Sequence, residues 1–200
     1  MKAAMAVLVI GVALLAAGGW LLYRRTVCPP VPKSPCVELE IFSGRQGVGW
    51  LWDWSWRVEE IALGDEGLRA KVLPTGGIAL RQDGPHRATT RIGSDDHRYL
   101  LVEYEAANGA AAGIAVSLES ADGNEFPKGG IRVAGKGVTA VAARRVKWVI
   151  PVAEFGCRKR LMRVNVMNKA PAPVDLILYR VAILSPASVV DTVLAGRAKE

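Results

Sequence analysis

The sequence predicts an all-β protein, an antiparallel β-sandwich of the jelly-roll type, preceded by one N-terminal transmembrane helix. Two observations predict this fold class. Residues 3–23 form an apolar run without a single charge. Residues 37–184 form short strand-like runs separated by Gly, Asp, Asn and Pro, and about ten such runs without helical periodicity are typical of sandwiches. The 200-residue chain therefore divides into an anchor, a linker, one domain and a tail.

The first predicted element is the membrane anchor, residues 1–25. At about 1.5 Å per residue its apolar run spans a hydrocarbon core of roughly 30 Å. The run ends with Tyr23 followed by Arg24 and Arg25, which is how a spanning helix meets the membrane interface. A cleaved signal peptide is the alternative, but its apolar region is shorter than this run. We therefore expect an uncleaved anchor.

Small residues recur along this anchor at a spacing of seven: Ala4, Gly11 and Gly18. On a helix they form one stripe, at which a second helix can approach closely. The abundance of small residues in spanning helices explains the same spacing equally well. The stripe predicts integral membrane proteins as partners, in addition to membrane lipid.

Residues 26–36 form a proline-rich linker, which the composition predicts to be a stiff spacer. Cys28 and Cys36 bracket it, and they either close a disulfide loop in an oxidising compartment or remain free thiols. The basic residues that flank the anchor favour a cytoplasmic domain by the positive-inside rule, whereas the cysteine pair favours the outside. We expect a single-pass protein of the bacterial inner membrane with a periplasmic domain.

The charge distribution argues against nucleic acid as a partner. The net charge is +7, but four of the 26 Lys and Arg residues lie in the first 36 residues, which contain no acid. The remainder has 22 basic residues against 19 acidic ones. This mild, interspersed excess lacks the basic stripe of a nucleic-acid-binding surface.

Four tryptophans in residues 50–60 occupy every second position: Trp50, Trp52, Trp54 and Trp56. A continuous strand places all four indoles on one face and Asp53 on the other, where water solvates it. If the indole face points inward, it fills the core. If it points outward, it is an aromatic platform for a partner protein, a lipid interface or sugar rings. We expect a bend that turns one or two indoles outward, and we include Asp53 in the candidate binding site.

The Trp-Asp-Trp-Ser-Trp motif at residues 52–56, with Ile41–Phe42 before it and the strand-like residues 174–181 after it, resembles a known family. It is similar to the galactose-binding-like jelly rolls that serve as carbohydrate-binding modules in bacterial glycoside hydrolases. The resemblance covers about residues 37–184. It implies a β-sandwich that binds glycans at its tryptophan face. Such modules accompany a catalytic domain, whereas this chain has a membrane anchor.

No constellation of catalytic residues occurs in the sequence. Glu59 and Glu60 are consecutive, so on a strand they face opposite ways and cannot flank one glycosidic bond. There is neither a Ser-His-Asp order nor a Cys-X-X-Cys motif. The sequence therefore predicts a protein that is not an enzyme.

Oxygen-bearing residues in one short segment make a weak calcium candidate: Asp122, Asn124 and Glu125. The resemblance implies a structural calcium there, and a hairpin turn explains the same residues. We expect no other metal or cofactor.

The tail, residues 185–200, is the one segment of the body with a helical pattern, and its Val189 and Val193 are positioned to pack on the sandwich or the membrane. Taken together, these observations predict a non-catalytic accessory or structural subunit of a larger membrane complex, of the respiratory or photosynthetic type. The alternative is a surface-tethered carbohydrate-binding module that uses an exposed tryptophan face.

Overall fold

The computed structural model describes residues 39–44, 50–82, 91–92, 97–107, 113–132, 138–142, 145–156 and 159–189. Antiparallel strands dominate this part, as predicted. The strands are β1 (Leu39–Phe42), β2 (Trp50–Leu51), β3 (Trp56–Leu63), β4 (Leu68–Gln82), β5 (Arg91–Ile92), β6 (Tyr99–Ala106), β7 (Ile114–Ser120), β8 (Glu125–Arg132), β9 (Val138–Ala142), β10 (Arg145–Pro151), β11 (Lys159–Asn168) and β12 (Val174–Leu184). A short 3-10 helix, Val152–Phe155, follows β10.

Strand β4 is the connection between two sheets. Its residues 68–72 pair with β12, and its residues 77–81 pair with β11. Thr75 lies between these halves with φ of +63°, so the chain bends there without leaving the strand. Residues 68–82 therefore form one bent strand that belongs to both sheets, longer than the short strand-like runs that the sequence predicts.

Two sheets follow from this bend. Sheet 1 consists of β9, β10, β6, β12 and the first half of β4, in that order. Strand β1 pairs with β12, and strand β3 pairs with β4. We call sheet 2 the order β8-β7-β11 with the second half of β4, joined by β2 on β4 and β5 on β11. Every pairing is antiparallel.

One hydrophobic core joins the inward faces of both sheets. Alternate residues of β4, β7 and β11 in sheet 2, such as Ile78, Val116 and Val164, belong to the same buried cluster as Val102 and Leu178 of sheet 1. Because strand side chains alternate, the residues between them form an outer face on each sheet. This arrangement confirms the predicted all-β antiparallel architecture and is consistent with a β-sandwich.

After β12 the chain forms a helical turn at residues 186–189. The main-chain N–H of Val189 donates to the carbonyl of Ser185 at 3.2 Å, and the N–H of Ser188 lies 3.3 Å from the Ser185 hydroxyl, which caps the helix. Val189 packs on an outer-face cluster of sheet 1 that includes Leu101 and Val149. The expectation that Val189 contacts the sandwich is therefore confirmed, and Val193 lies outside the described residues.

The anchor and linker also lie outside the described residues. This applies to residues 1–25 with Ala4, Gly11 and Gly18, and to residues 26–36 with the two cysteines. Within the described ranges, no helix has the length and apolar character needed to cross a bilayer. The predicted domain boundaries stay predictions.

Candidate functional site

The tryptophan segment is interrupted by a turn. β2 ends at Leu51 and β3 begins at Trp56. Between them, both the main-chain N–H of Ser55 (3.1 Å) and its hydroxyl (2.6 Å) donate to the carbonyl of Trp52. One continuous strand with four indoles on one face is therefore not formed, because the turn at residues 52–55 interrupts it. Strands β2 and β3 both pair antiparallel with β4, so they run in the same direction on either side of the turn. This turn is the bend expected from the sequence.

The first two tryptophans belong to the interior. Trp50 is only 2% exposed and is part of the main core cluster. Trp52 is half-buried against that cluster, where its ring meets Phe42 edge to face, with centroids 6.5 Å apart and an interplanar angle of 84°. Neither indole is available as a platform.

The last two tryptophans lie over the outer face of sheet 2. Trp54 is 49% exposed, and its ring centroid is 4.7 Å from the guanidinium carbons of both Arg81 and Arg163. Trp56 is half-buried, and its Nε1 donates to the carbonyl of Thr75 at 2.8 Å. The Trp56 ring lies so close to Gly77 that a Cβ there would come within 2.6 Å of it. Glycine at this position is thus what allows the indole to approach the strand so closely.

The backbone around Trp56 is strained. Arg57 and Thr75 have positive φ values of 51° and 63°, a region that residues other than glycine rarely adopt. Such conformations persist only where the surrounding structure enforces them. Here the Trp56 hydrogen bond to Thr75 and the contact with Gly77 hold the two chain segments together, so the position of Trp56 is tightly fixed.

Three cross-strand rows form the outer face of sheet 2 beneath these indoles. The residues of β4, β11 and β7 lie directly opposite one another in each row. The rows are Arg81, Arg163 and Glu119; Ala79, Asn165 and Ser117; and Gly77, Met167 and Ala115. Trp54 covers the first row, and Trp56 lies on the third at Gly77.

Two ion pairs hold the arginines of the first row. Arg81 contacts the Asp53 carboxylate and Arg163 contacts the Glu119 carboxylate, each at 2.8 Å. The side chains of Arg81 and Arg163 are only 7% and 13% exposed, whereas Asp53 is 51% exposed. The expectation that Asp53 is merely solvated on the face opposite the indoles is therefore wrong, because the turn carries it to the same arginine that Trp54 contacts.

The second row is polar although it is buried. Asn165 and Ser117 are 3% and 0% exposed, and the Asn165 amide Nδ2 lies 3.2 Å from the Ser117 hydroxyl. The Asn165 Oδ1 and the Arg163 Nε are buried, and they have no hydrogen-bond partner among the described residues. Buried polar atoms of this kind are costly, and native proteins contain few of them. The outer face of sheet 2 therefore has a polar floor beneath the indoles.

This arrangement offers two kinds of contact to a ligand. A half-exposed indole offers a flat apolar surface, and the carboxylates and guanidinium groups beside it offer hydrogen-bond acceptors and donors. A ring with an apolar face and a hydroxylated edge matches both features.

Most of the polar residues on the outer face of sheet 2 were not predicted from the sequence. The sequence analysis predicted none of these as site residues: Arg81, Arg163, Glu119, Asn165 and Ser117. Alternation within each strand places these residues on one face. Which strands lie side by side is a tertiary property, so the rows themselves have no signal in the sequence.

The calcium candidate is a hairpin turn between β7 and β8. The Ser120 hydroxyl donates to the Asp122 carboxylate, and the carbonyl of Asn124 accepts from the Ser120 N–H at 3.0 Å. Glu125 begins β8 and pairs with Glu119. In the part of the chain that the structure describes, no group of three or more His, Cys, Asp or Glu residues is arranged to hold a metal ion.

Comparison with solved structures shows that this chain is similar in fold to known β-sandwich modules. The chain is similar to three variants of the family 29 carbohydrate-binding module CBM29-2, with TM-scores of 0.50, 0.51 and 0.50 at 11%, 8% and 10% sequence identity. Each alignment covers 73% of this chain and 89% or 90% of the module. One of the variants was solved in complex with mannohexaose. No protein-family model matches the chain, and no curated protein matches its sequence.

The fold is thus that of β-sandwich carbohydrate-binding modules. The resemblance noted in the sequence is confirmed at the level of the fold, and the comparisons do not bear on the predicted membrane anchor.

Proposed function

We propose that this protein is a non-catalytic, glycan-binding jelly-roll module that binds sugar chains on the outer face of sheet 2. The observation that carries the proposal is the half-exposed Trp54 indole, held against two ion-paired arginines beside the exposed carboxylate of Asp53. Pyranose rings stack their C–H faces on indoles and direct their hydroxyl groups at neighbouring polar side chains. Both kinds of contact are available within this one cluster.

Preorganisation supports the proposal. Each arginine is fixed by its carboxylate, and both arginines contact the Trp54 ring, so the indole does not need to be ordered when a ligand arrives. A cation beside an aromatic face contributes about 0.5–1 kcal/mol at an exposed site, which is enough to bias the orientation of a side chain at a turn. A ligand surface that is already ordered binds at a lower entropic cost.

The comparisons favour this function over that of a membrane-complex subunit. The structural neighbours with TM-scores of 0.50 and 0.51 are carbohydrate-binding modules, and one of them was solved with a mannose oligosaccharide. We further propose that residues 1–25 tether the module to the bacterial inner membrane with the sandwich on the periplasmic side. Protease treatment of spheroplasts tests this topology, since only an external sandwich is digested while the membrane is intact.

The test of glycan binding is calorimetric titration of the full chain with neutral oligosaccharides, including mannohexaose, cellohexaose and xylohexaose. A detergent without a sugar headgroup is needed, because a glycosidic detergent competes for the site. We expect binding, and we expect Trp54→Ala to weaken it by about tenfold or more, as removal of an aromatic anchor does at binding sites. Tryptophan emission gives a second readout of the same titration.

Leu63→Ala is the matched control. Leu63 is also an exposed large apolar side chain, 38% accessible, but it lies at the end of β3 and pairs with Leu68 in sheet 1. The control variant is expected to bind like the unmodified protein, and both variants are checked for unchanged far-UV circular dichroism. Absence of binding across the panel, or equal binding by the Trp54→Ala variant, refutes the proposal.

A further inference from the structure

The charged side chains around Trp54, which we call the Trp54 cluster, lie at different depths below the surface: Arg81, Arg163, Asp53 and Glu119. The two cations, Arg81 and Arg163, are 7% and 13% exposed and lie against the indole. The most exposed charge is the carboxylate of Asp53, at 51%, and the second carboxylate, Glu119, is 15% exposed. A ligand that stacks on Trp54 therefore meets an anion at the surface, and the cations lie deeper.

The ion pairs also balance the charge of this cluster. Two guanidinium groups face the carboxylates of Asp53 and Glu119, so these four groups have no net charge, and Glu125 lies opposite Glu119 on β8 as a further carboxylate. An acidic ligand would have to approach Asp53 against like-charge repulsion and displace a carboxylate that is already 2.8 Å from its arginine. Sugar hydroxyl groups, in contrast, donate to the carboxylate oxygens without disturbing either pair.

From this layering we infer that the site selects neutral glycans and rejects uronate-containing ones, an inference that rests on the proposed glycan binding. The selection opposes the charge of the whole chain, +7, which by itself favours acidic polymers. Asp53 is the specificity-determining residue. It accepts hydrogen bonds from the hydroxyl groups of a neutral sugar, and its charge excludes a carboxylate at the same place.

The experiment uses hexasaccharides that differ only in the oxidation of the exocyclic carbon: mannohexaose against hexamannuronate, and cellohexaose against its glucuronate counterpart. The full chain is titrated with each by calorimetry at near-physiological salt, where the Debye length of about 8 Å screens distant charges. We expect each neutral sugar that binds to do so at least about tenfold more tightly than its acidic counterpart, since like-charge contacts at interfaces are strongly unfavourable.

Asp53→Asn keeps the shape and a hydrogen-bond acceptor but removes the charge. It is expected to weaken neutral binding severalfold and to narrow the neutral-to-acidic ratio to about threefold or less, because the repulsion is gone. Asp175→Asn is the control, since Asp175 is an exposed carboxylate on β12 opposite Lys71, in sheet 1. It is expected to leave both affinities and their ratio unchanged.

The outcomes separate the two proposals. If neither member of any pair binds, glycan binding itself fails, and the selectivity fails with it. If neutral sugars bind but the acidic counterparts bind equally well or better, only the selectivity is overturned. An unchanged ratio in the Asp53→Asn variant also overturns it, even when the neutral sugars bind.

Discussion

The outer faces of the two sheets both stack arginine on an aromatic ring, but they do so in opposite order. On sheet 1, the guanidinium carbon of Arg145 lies 3.9 Å from the ring centroid of the half-buried Tyr179, and the Arg145 side chain is 46% exposed. On sheet 2, Arg81 and Arg163 are nearly buried and Trp54 is the exposed member of the cluster. The aromatic ring is the outermost layer only on sheet 2.

The comparison shows that the same cation–aromatic contact serves two purposes. On sheet 1 it closes the surface: the Tyr179 hydroxyl donates to Glu105 at 3.0 Å and Arg145 pairs with Glu103 at 2.8 Å. On sheet 2 it supports an open ring. The contact energy is similar in kind, so the exposure of the aromatic member decides which face is able to bind a ligand.

The largest expected effect is on the free energy of unfolding, and it tests whether the arginine of sheet 2 is more deeply buried than that of sheet 1. Arg163→Ala leaves the Glu119 carboxylate without its arginine at 15% exposure, so we expect a loss of about 2–3 kcal/mol in the free energy of unfolding. Arg145→Ala removes an exposed cation, and Glu103 keeps Lys147 at 3.7 Å, so the loss should stay below about 1 kcal/mol. Urea unfolding of both variants measures the difference. Equal losses would contradict the layered order.

A smaller effect tests how closely Trp56 lies on sheet 2. In Gly77→Ala the new methyl group meets the Trp56 ring at 2.6 Å, and relief of this overlap is expected to cost about 1–2 kcal/mol and to change the near-UV circular dichroism of tryptophan. Gly64→Ala is the control, because the nearest atom to its Cβ is the Gly67 carbonyl oxygen at an ordinary 3.7 Å. An unperturbed Gly77→Ala variant would show that the indole is not fixed there.

The smallest expected effect is on the pKa of Tyr179, and it tests the hydrogen bond between Tyr179 and Glu105 on sheet 1. Burial raises the pKa of the Tyr179 phenol, and the hydrogen bond to Glu105 raises it further. The folded state therefore holds this proton more tightly than the unfolded chain, whose tyrosine pKa is about 10. The resulting stability is present below that pH and is lost as the pH rises through the folded pKa. Glu105→Gln should move the phenolate absorbance transition of Tyr179 to lower pH, and no movement would argue against the hydrogen bond.

Much of the fold was predictable from the sequence because it depends on local pattern. Alternation of apolar and polar residues predicts strands, and the Asp-Gly-Asn segment at residues 122–124 predicts a turn, which the structure places between β7 and β8. A bend within the tryptophan segment was expected, but its position at residues 52–55 was not predictable in the same way. Alternating tryptophans favour a strand, and what overrides them is the placement of Trp50 in the core and Trp54 outside it.

The sequence by itself determined the all-β class, the antiparallel pairing and the tryptophan motif as the candidate site, since these follow from side-chain periodicity and residue type. Only the tertiary structure decided that Trp54 and Trp56 lie on the outer face of sheet 2, and that Asp53 meets Arg81 there. The physical reason is that the rows are made between β4, β11 and β7, which are far apart along the chain. Their register depends on burial of the shared core, which no single segment encodes.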